Sequence, residues 1–258
     1  MTTELAVPEC APFFKENSGA ECCLCIHGFT GCPALYIPLS KLLFDAGFSV
    51  SVPLLAGHGT APENLRGVSE LQWFQDQSEE LGRLLARYQR VHLIGLSLGG
   101  AIAAWLAATY AGNKHLGKLV LLSPGLGLKD KKFYGIDYEK TEDSLIPLPR
   151  RPLKDDGLNS SRYGYPAMPL RSVGQLLLAA NRANQALGAI RAPTLLLYTA
   201  ADQIADPAAC ERAAGAIPSL ESCNRYEAGE HNLLLGPDRL DVIERVMSFV
   251  GGRNSTDS

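Results

Sequence analysis

Gly95-Leu96-Ser97-Leu98-Gly99-Gly100 is the stretch on which the fold turns. It matches the pattern G-x-S-x-G, in which a serine sits at a sharp turn between a strand and a helix. The flanks fit that setting. Residues 91–94 form a short apolar run, as a strand buried on both faces should, and residues 98–110 are almost wholly apolar, as a buried helix should be. At so tight a turn, side chains two residues either side of the serine would collide, and Gly95 and Gly99 remove them. The helix then aims its free first-turn N–H groups and positive end at the serine, which makes the Leu98 N–H a donor for a developing oxyanion. The alternative is a Gly-Ser turn that merely opens a helix. The strand–turn–helix context favours the chemical reading.

On both sides of this turn, short apolar runs alternate with helical segments, the pattern of βαβ units and a mostly parallel sheet. Strands are expected over Glu21–Ile26, Ser49–Val52, 91–94, 119–122, 194–198 and 222–226. Helices are expected over 34–46, from Ser69 to about Tyr88, and over 98–110, 170–190, 206–216 and 238–250. One interval is too long for this scheme. A parallel crossover needs about a dozen residues, and the run from Ser123 to Pro193 far exceeds that. Long structureless loops are uncommon in compact domains, so residues 124–191 are read as an insertion that caps the sheet edge. The core is then 1–123 and 192–258, a single catalytic domain.

A serine hydroxyl is a poor nucleophile and needs a base. Five histidines are available. His92 lies inside a strand, and His115 lies in a polar loop, expected to be exposed. His27 and His58 follow strand ends and can approach the same cleft. His231, in Gly229-Glu230-His231-Asn232, follows the last expected strand and is the best-placed base. The acid that orients it should follow the strand at 194–198, where Asp202 and Asp206 both stand. Asp206 precedes Pro207 at a helix start, the usual place of an N-cap, so Asp202 is favoured as the acid. His27-Gly28-Phe29-Thr30-Gly31 follows the first expected strand, and the Phe29 N–H is the candidate for the second oxyanion donor. The order Ser97, Asp202, His231 is that described for α/β-hydrolases.

With those motifs in place, the chain resembles the α/β-hydrolase superfamily over about residues 21–250, and within it the small carboxylesterase and monoacylglycerol lipase group. The resemblance also rests on Gly57-His58-Gly59, Ala201-Asp202-Gln203-Ile204, Tyr163-Gly164-Tyr165-Pro166 and Ser172-Val173-Gly174-Gln175-Leu176-Leu177. It implies an eight-stranded, mostly parallel sheet flanked by helices, with the cap inserted after the sixth strand and two short strands within residues 3–21. It implies hydrolysis of carboxylic esters by Ser97, Asp202 and His231, with Phe29 and Leu98 as oxyanion donors and His27 as a residue that shapes its loop. It implies no metal and no organic cofactor. The lipase pattern GHG-x-S ends here in Thr60-Ala61, so nothing is carried over from that serine. A thioesterase or another serine-triad acyl hydrolase keeps the same constellation. A non-catalytic ligand receptor keeps the fold.

Composition bounds the partners. The chain has 258 residues, 46% hydrophobic and 20% charged, with a net charge of −3. No run of like charges marks a nucleic-acid surface. The densest cluster, Lys129-Asp130-Lys131-Lys132, is mixed. No apolar stretch reaches the roughly 18 residues of a membrane span, so integral membrane association is not expected. Residues 1–10 hold no Lys or Arg and lack a signal-peptide pattern, which points to the cytosol. There are seven cysteines, an odd number, in a chain this long, which argues against a disulfide framework. Cys22, Cys23 and Cys25 fall in one strand and alternate between its faces, which disfavours metal binding. The expected partner is a small, uncharged acyl ester. Leu126, Leu128, Phe133, Ile136, Leu145, Ile146, Met168, Leu170, Val173 and Leu177 are candidates to line its groove. The sequence leaves monomer and homodimer both open.

Overall fold

The computed structural model describes residues 4–6, 8–148 and 164–252. Nine strands run in chain order among them: β1 (Phe13–Lys15), β2 (Glu21–Ile26), β3 (Ser49–Val52), β4 (Arg90–Leu96), β5 (Leu116–Leu122), β6 (Leu145–Pro147), β7 (Ala167–Pro169), β8 (Thr194–Thr199) and β9 (Leu220–Tyr226). The α-helices are α1 (Ile37–Asp45), α2 (Glu70–Leu85), α3 (Leu98–Thr109), α4 (Leu170–Ala186), α5 (Pro207–Ala216) and α6 (Arg239–Gly251). Seven strands form one sheet in the order β1-β3-β2-β4-β5-β8-β9, and β6 and β7 form a separate antiparallel pair. Only β1 runs antiparallel in the main sheet.

Alternation along the strands divides the core. Cys22, Leu24, Ile26, Val91 and Leu93 face the side covered by α2, α3, α4 and α5. Cys23, Cys25, Ile94, Leu96 and Val120 face the side covered by α1 and α6. Burial pushes the Cys22 thiol up to about 12 and raises Cys23 and Cys25 well above the ordinary thiol value, so all three are inert packing groups. Helix α3 is buried on nearly every side, as its apolar sequence requires. Ser69 caps α2, its hydroxyl accepting from Gln72 N, and Asp206 caps α5 by accepting from Ala208 N.

Two expectations need correction. The sheet has seven strands rather than eight among the described residues, because the N-terminal stretch supplies β1 alone. Residues Pro8–Cys10 form a 3-10 turn, and Pro8 and Pro12 lack N–H groups that a strand ladder would use. Cys10 and Cys32 are joined in a disulfide, with Cα atoms 5.1 Å apart, although the cysteine count argued against one. The two residues meet in a small apolar cluster with Ala34, against which Leu5 and Leu54 pack. That contact is non-local, and spacing along the chain carries no sign of it. Among the described residues, no group of three His, Cys, Asp or Glu could hold a metal, and no helix is long and apolar enough to cross a membrane.

Candidate active site

The sheet order reverses between β2 and β4, and loops leaving such a switch point diverge to open a crevice at the carboxyl edge. Ile26 pairs with Gly95, so the loop after β2 and the turn after β4 leave the sheet side by side. Ser97 stands at that turn with φ +53° and ψ −118°. A non-glycine residue held there costs about 1–3 kcal/mol, which the surrounding packing must offset. A Cβ on Gly95 would overlap Gly99 O, and one on Gly99 would overlap Ile26 O, so both glycines are required for close approach. Ser97 N donates to Leu122 O at 3.0 Å, and Gly125 N donates to Ser97 O at 2.7 Å, which ties the turn to β5 and its exit.

Asp202 follows β8 and is buried. Its Oδ1 accepts from Ile204 N at 2.8 Å and Ala205 N at 2.9 Å, and its Oδ2 pairs with His231 Nδ1 at 2.7 Å. The carboxylate therefore has its oxygens filled and holds the imidazole by one nitrogen, leaving Nε2 for other work. Ser97 and His231 line one cavity, though no hydrogen bond joins Ser97 Oγ to His231 in this conformation. Asp206 is elsewhere: its carboxylate caps α5 and pairs with Lys131 at 2.9 Å, and that bond lowers its pKa. Lys129, which sequence patterns did not single out, donates from Nζ to Asp202 O at 2.8 Å. It lies in a stretch, 127–129, that runs against the loop carrying the acid, with Leu128 bridged to Ala205.

Phe29 lies at the cavity wall, and its N–H has no acceptor among the described residues. His27 and His58 do not enter the cleft. His27 is fully buried, its Nδ1–H directed at Gly28 O (2.9 Å) and its Nε2 accepting from Leu55 N (3.1 Å), so it shapes the loop. His58 is buried against Phe29, and its Nδ1–H is directed at Ala56 O at 3.0 Å. Burial pulls the His27 pKa down to about 3 and that of His58 to about 4, so both are neutral near pH 7. His92 pairs with Glu21 at 2.8 Å at the far end of the sheet. His115 is half-buried rather than exposed, because its ring bonds Gln89 O at 2.9 Å.

The cavity has a volume of about 450 Å³. Of the expected groove residues, Leu128, Phe133, Ile146, Met168 and Val173 line it, and Leu126, Ile136, Leu145, Leu170 and Leu177 do not. Leu126 packs in the core instead. Leu176, Ala180, Leu148 and Ile204 were not anticipated. Val173, Leu176 and Ala180 follow helical spacing on α4, so that period was the signal for the inward stripe, with Leu177 just off it. Tyr163 lies outside the described residues, as does part of the 124–191 insertion.

Most of the chain is similar to known proteins. The model of the Hydrolase_4 family, described as serine aminopeptidase, S33, matches residues 18–238. A thermostable monoacylglycerol lipase of Bacillus sp. (strain H-257) is 29% identical over 261 residues, covering 92% of this chain and 93% of that protein. Among solved structures, a metagenome-derived lipolytic enzyme from the LipS and LipT study superposes with a TM-score of 0.85 at 22% identity, covering 95% of this chain and 98% of the other. The Paleococcus ferrophilus monoacylglycerol lipase superposes with a TM-score of 0.74 at 18% identity, covering 96% and 99%. At these identities the two structures speak for the fold.

Proposed function

The chain belongs to the serine aminopeptidase, S33 (Hydrolase_4) family of α/β-hydrolases, and from that membership we propose a serine esterase that cleaves uncharged carboxylic esters through an acyl-enzyme on Ser97. It is an enzyme of the esterase and lipase kind. The substrates proposed are short- to medium-chain acyl esters or monoacylglycerols. The observation that carries the reading is the buried Asp202–His231 pair, 2.7 Å long, set at an apolar cavity that Ser97 also lines.

In the proposed cycle His231 Nε2 takes the Ser97 proton as Oγ attacks the ester carbonyl carbon. The carbonyl electron pair moves onto oxygen, which the Phe29 and Leu98 N–H groups receive. Collapse expels the alcohol, protonated by His231. Water then repeats the sequence on the acyl-enzyme, and the acid leaves. Each oxyanion donor contributes on the order of 10²–10³ in rate. Residues 124–191 act as the cap in this reading, and no metal or organic cofactor takes part.

The family description names aminopeptidases, and an aminopeptidase must hold a substrate ammonium group. Asp130 is the one carboxylate among the described residues lining the cavity, and Lys132 pairs with it at 2.8 Å. That favours a neutral ester over a free amino terminus. A thioesterase keeps every feature used here, so acyl-CoA belongs beside p-nitrophenyl esters in the assay. A cytosolic location belongs to this reading. The Cys10–Cys32 disulfide bears against it, since that compartment keeps most thiols reduced, and cell fractionation decides.

The test is Ser97→Ala. Hydrolysis of p-nitrophenyl butyrate should fall to background, and a fluorophosphonate probe should label the wild-type protein and not the variant. Near-wild-type hydrolysis by Ser97→Ala sinks the acyl-enzyme. An unlabelled, inactive wild-type protein revives the ligand-receptor reading.

A further inference from the structure

Phe29 sits in a loop whose inner side is secured by the core. His27 Nε2 accepts from Leu55 N, Gly31 N donates to Gly28 O at 3.1 Å, and Thr30 Oγ1 donates to Phe29 O at 2.6 Å. The outer side of the loop ends in the Thr30 carbonyl, on a residue held at φ +63°. A threonine in that left-handed region is strained and needs an external hold. The hold is Tyr165, which is remote in sequence: its N–H donates to Thr30 O at 2.9 Å.

The same residue grips the neighbouring loop with its side chain. Tyr165 Oη donates to Gly57 O at 2.8 Å and accepts from Thr60 N at 3.0 Å, with Thr60 Oγ1 3.3 Å away. Its ring lies nearly parallel to that of His58, at 10° with centroids 6.2 Å apart. The His58 and Phe29 rings in turn meet in a T-shaped contact, with centroids 5.7 Å apart. Tyr165 is buried, and its hydroxyl is engaged by the backbone on both its donor and acceptor sides. It therefore presents a ring to the cavity and has no free proton to offer a substrate.

We propose that Tyr165 is a positioning residue for the oxyanion donor Phe29, fixing the loops after β2 and β3 relative to Ser97. The segment between β5 and β8 is then part of the catalytic frame as well as a cover over the cavity. Its loss is felt in the transition state, when charge develops beside the Phe29 N–H, more than in ground-state binding. This proposal rests on the reading of Ser97 and Phe29 as catalytic groups.

Tyr165→Phe keeps the ring and removes all three hydroxyl contacts, leaving Gly57 O and Thr60 N without that partner. Hydrolysis of a medium-chain p-nitrophenyl ester should lose roughly tenfold in kcat, about the effect of one or two backbone hydrogen bonds, with KM changed less than about twofold. A trifluoromethyl ketone of the same chain, which forms an oxyanion on Ser97, should bind about tenfold more weakly. The matching alkyl ether, which has no carbonyl, should bind the variant as it binds the wild type. A loosened cover alone would raise KM and weaken both inhibitors equally, and that result overturns the proposal, as does an unchanged kcat. Ser97→Ala in the same assay separates the failures. If it stays active, the acyl-enzyme reading is wrong. If it is inactive while Tyr165→Phe matches wild type, only the role of Tyr165 is wrong.

Discussion

The Leu98 amide, at the turn after β4, and the Phe29 amide, in the loop after β2, are held in opposite ways. Leu98 is fixed by its own strand, turn and helix: β4 feeds Ser97, α3 begins at once, and Gly95 and Gly99 admit the close approach. Phe29 is fixed by stretches far apart in the chain. Leu55 holds His27, Tyr165 holds Thr30, and Cys10 is bonded to Cys32 just past the loop. Local geometry thus sets one amide, and tertiary contacts set the other. The first should fail all at once when a single residue is changed. The second should fail in increments.

The largest effect is expected where the local device is broken. Gly99→Ala places a methyl on Ile26 O, and no flexible side chain can yield there. The expected result is loss of soluble, active protein, checked by expression yield and by kcat on whatever folds. A soluble Gly99→Ala enzyme with wild-type kcat would break the contrast at its firmer end. Next in size is Asp202, the acid of the proposed triad. Asp202→Asn leaves the shape but removes the charge that holds the His231 tautomer, and a drop on the order of 10⁴ in kcat is expected. Asp206→Asn should cost little activity, and a lower melting temperature should report the weakened cap and the lost Lys131 pair. Equal losses in the two variants would reverse the assignment of the acid.

The same contrast explains what could be read from the residues alone. Ser97, its glycines and the start of α3 were legible because a strand, a turn and a helix in succession are a local pattern. Strands β2 and β3 match their expected spans, since short apolar runs ending at glycine, proline or polar residues mark buried strands. Asp202 and Asp206 could be separated because an N-cap before proline has its own signature. The Cys10–Cys32 bond, the hold of Lys129 on the acid loop and the Tyr165 bridge left no such trace. Each joins residues whose separation obeys neither a helical nor a strand period. The cavity stripe was read one position astray, at Leu177 in place of Leu176, because two adjacent leucines satisfy the apolar pattern equally well.

The disulfide sharpens the contrast from the incremental side. Closing a loop between cysteines 22 residues apart stabilises the fold by about 3 kcal/mol in the chain-entropy account. Reduction with a phosphine should lower the melting temperature accordingly and slow turnover less than Gly99→Ala does. An unchanged melting curve, or a mass spectrum showing free thiols at Cys10 and Cys32 before reduction, would remove that anchor.

The last expected effect appears only on acidification and concerns the histidines packed against Phe29. In the unfolded chain both titrate near the ordinary value of about 6.5. In the fold, burial holds His27 at about 3 and His58 at about 4. Between those values and 6.5 the unfolded chain binds protons that the folded chain refuses, so stability rises with pH across that window and is lost as pH falls. Their contribution is fully present above about pH 6.5, and each can remove up to about 1.4 kcal/mol per pH unit below it. Melting curves from pH 7.5 to 4.5 should slope downward with acid, and His58→Gln should flatten part of that slope. If the slope in the variant equals that of the wild type, His58 is not the buried neutral group that the Phe29 loop rests upon.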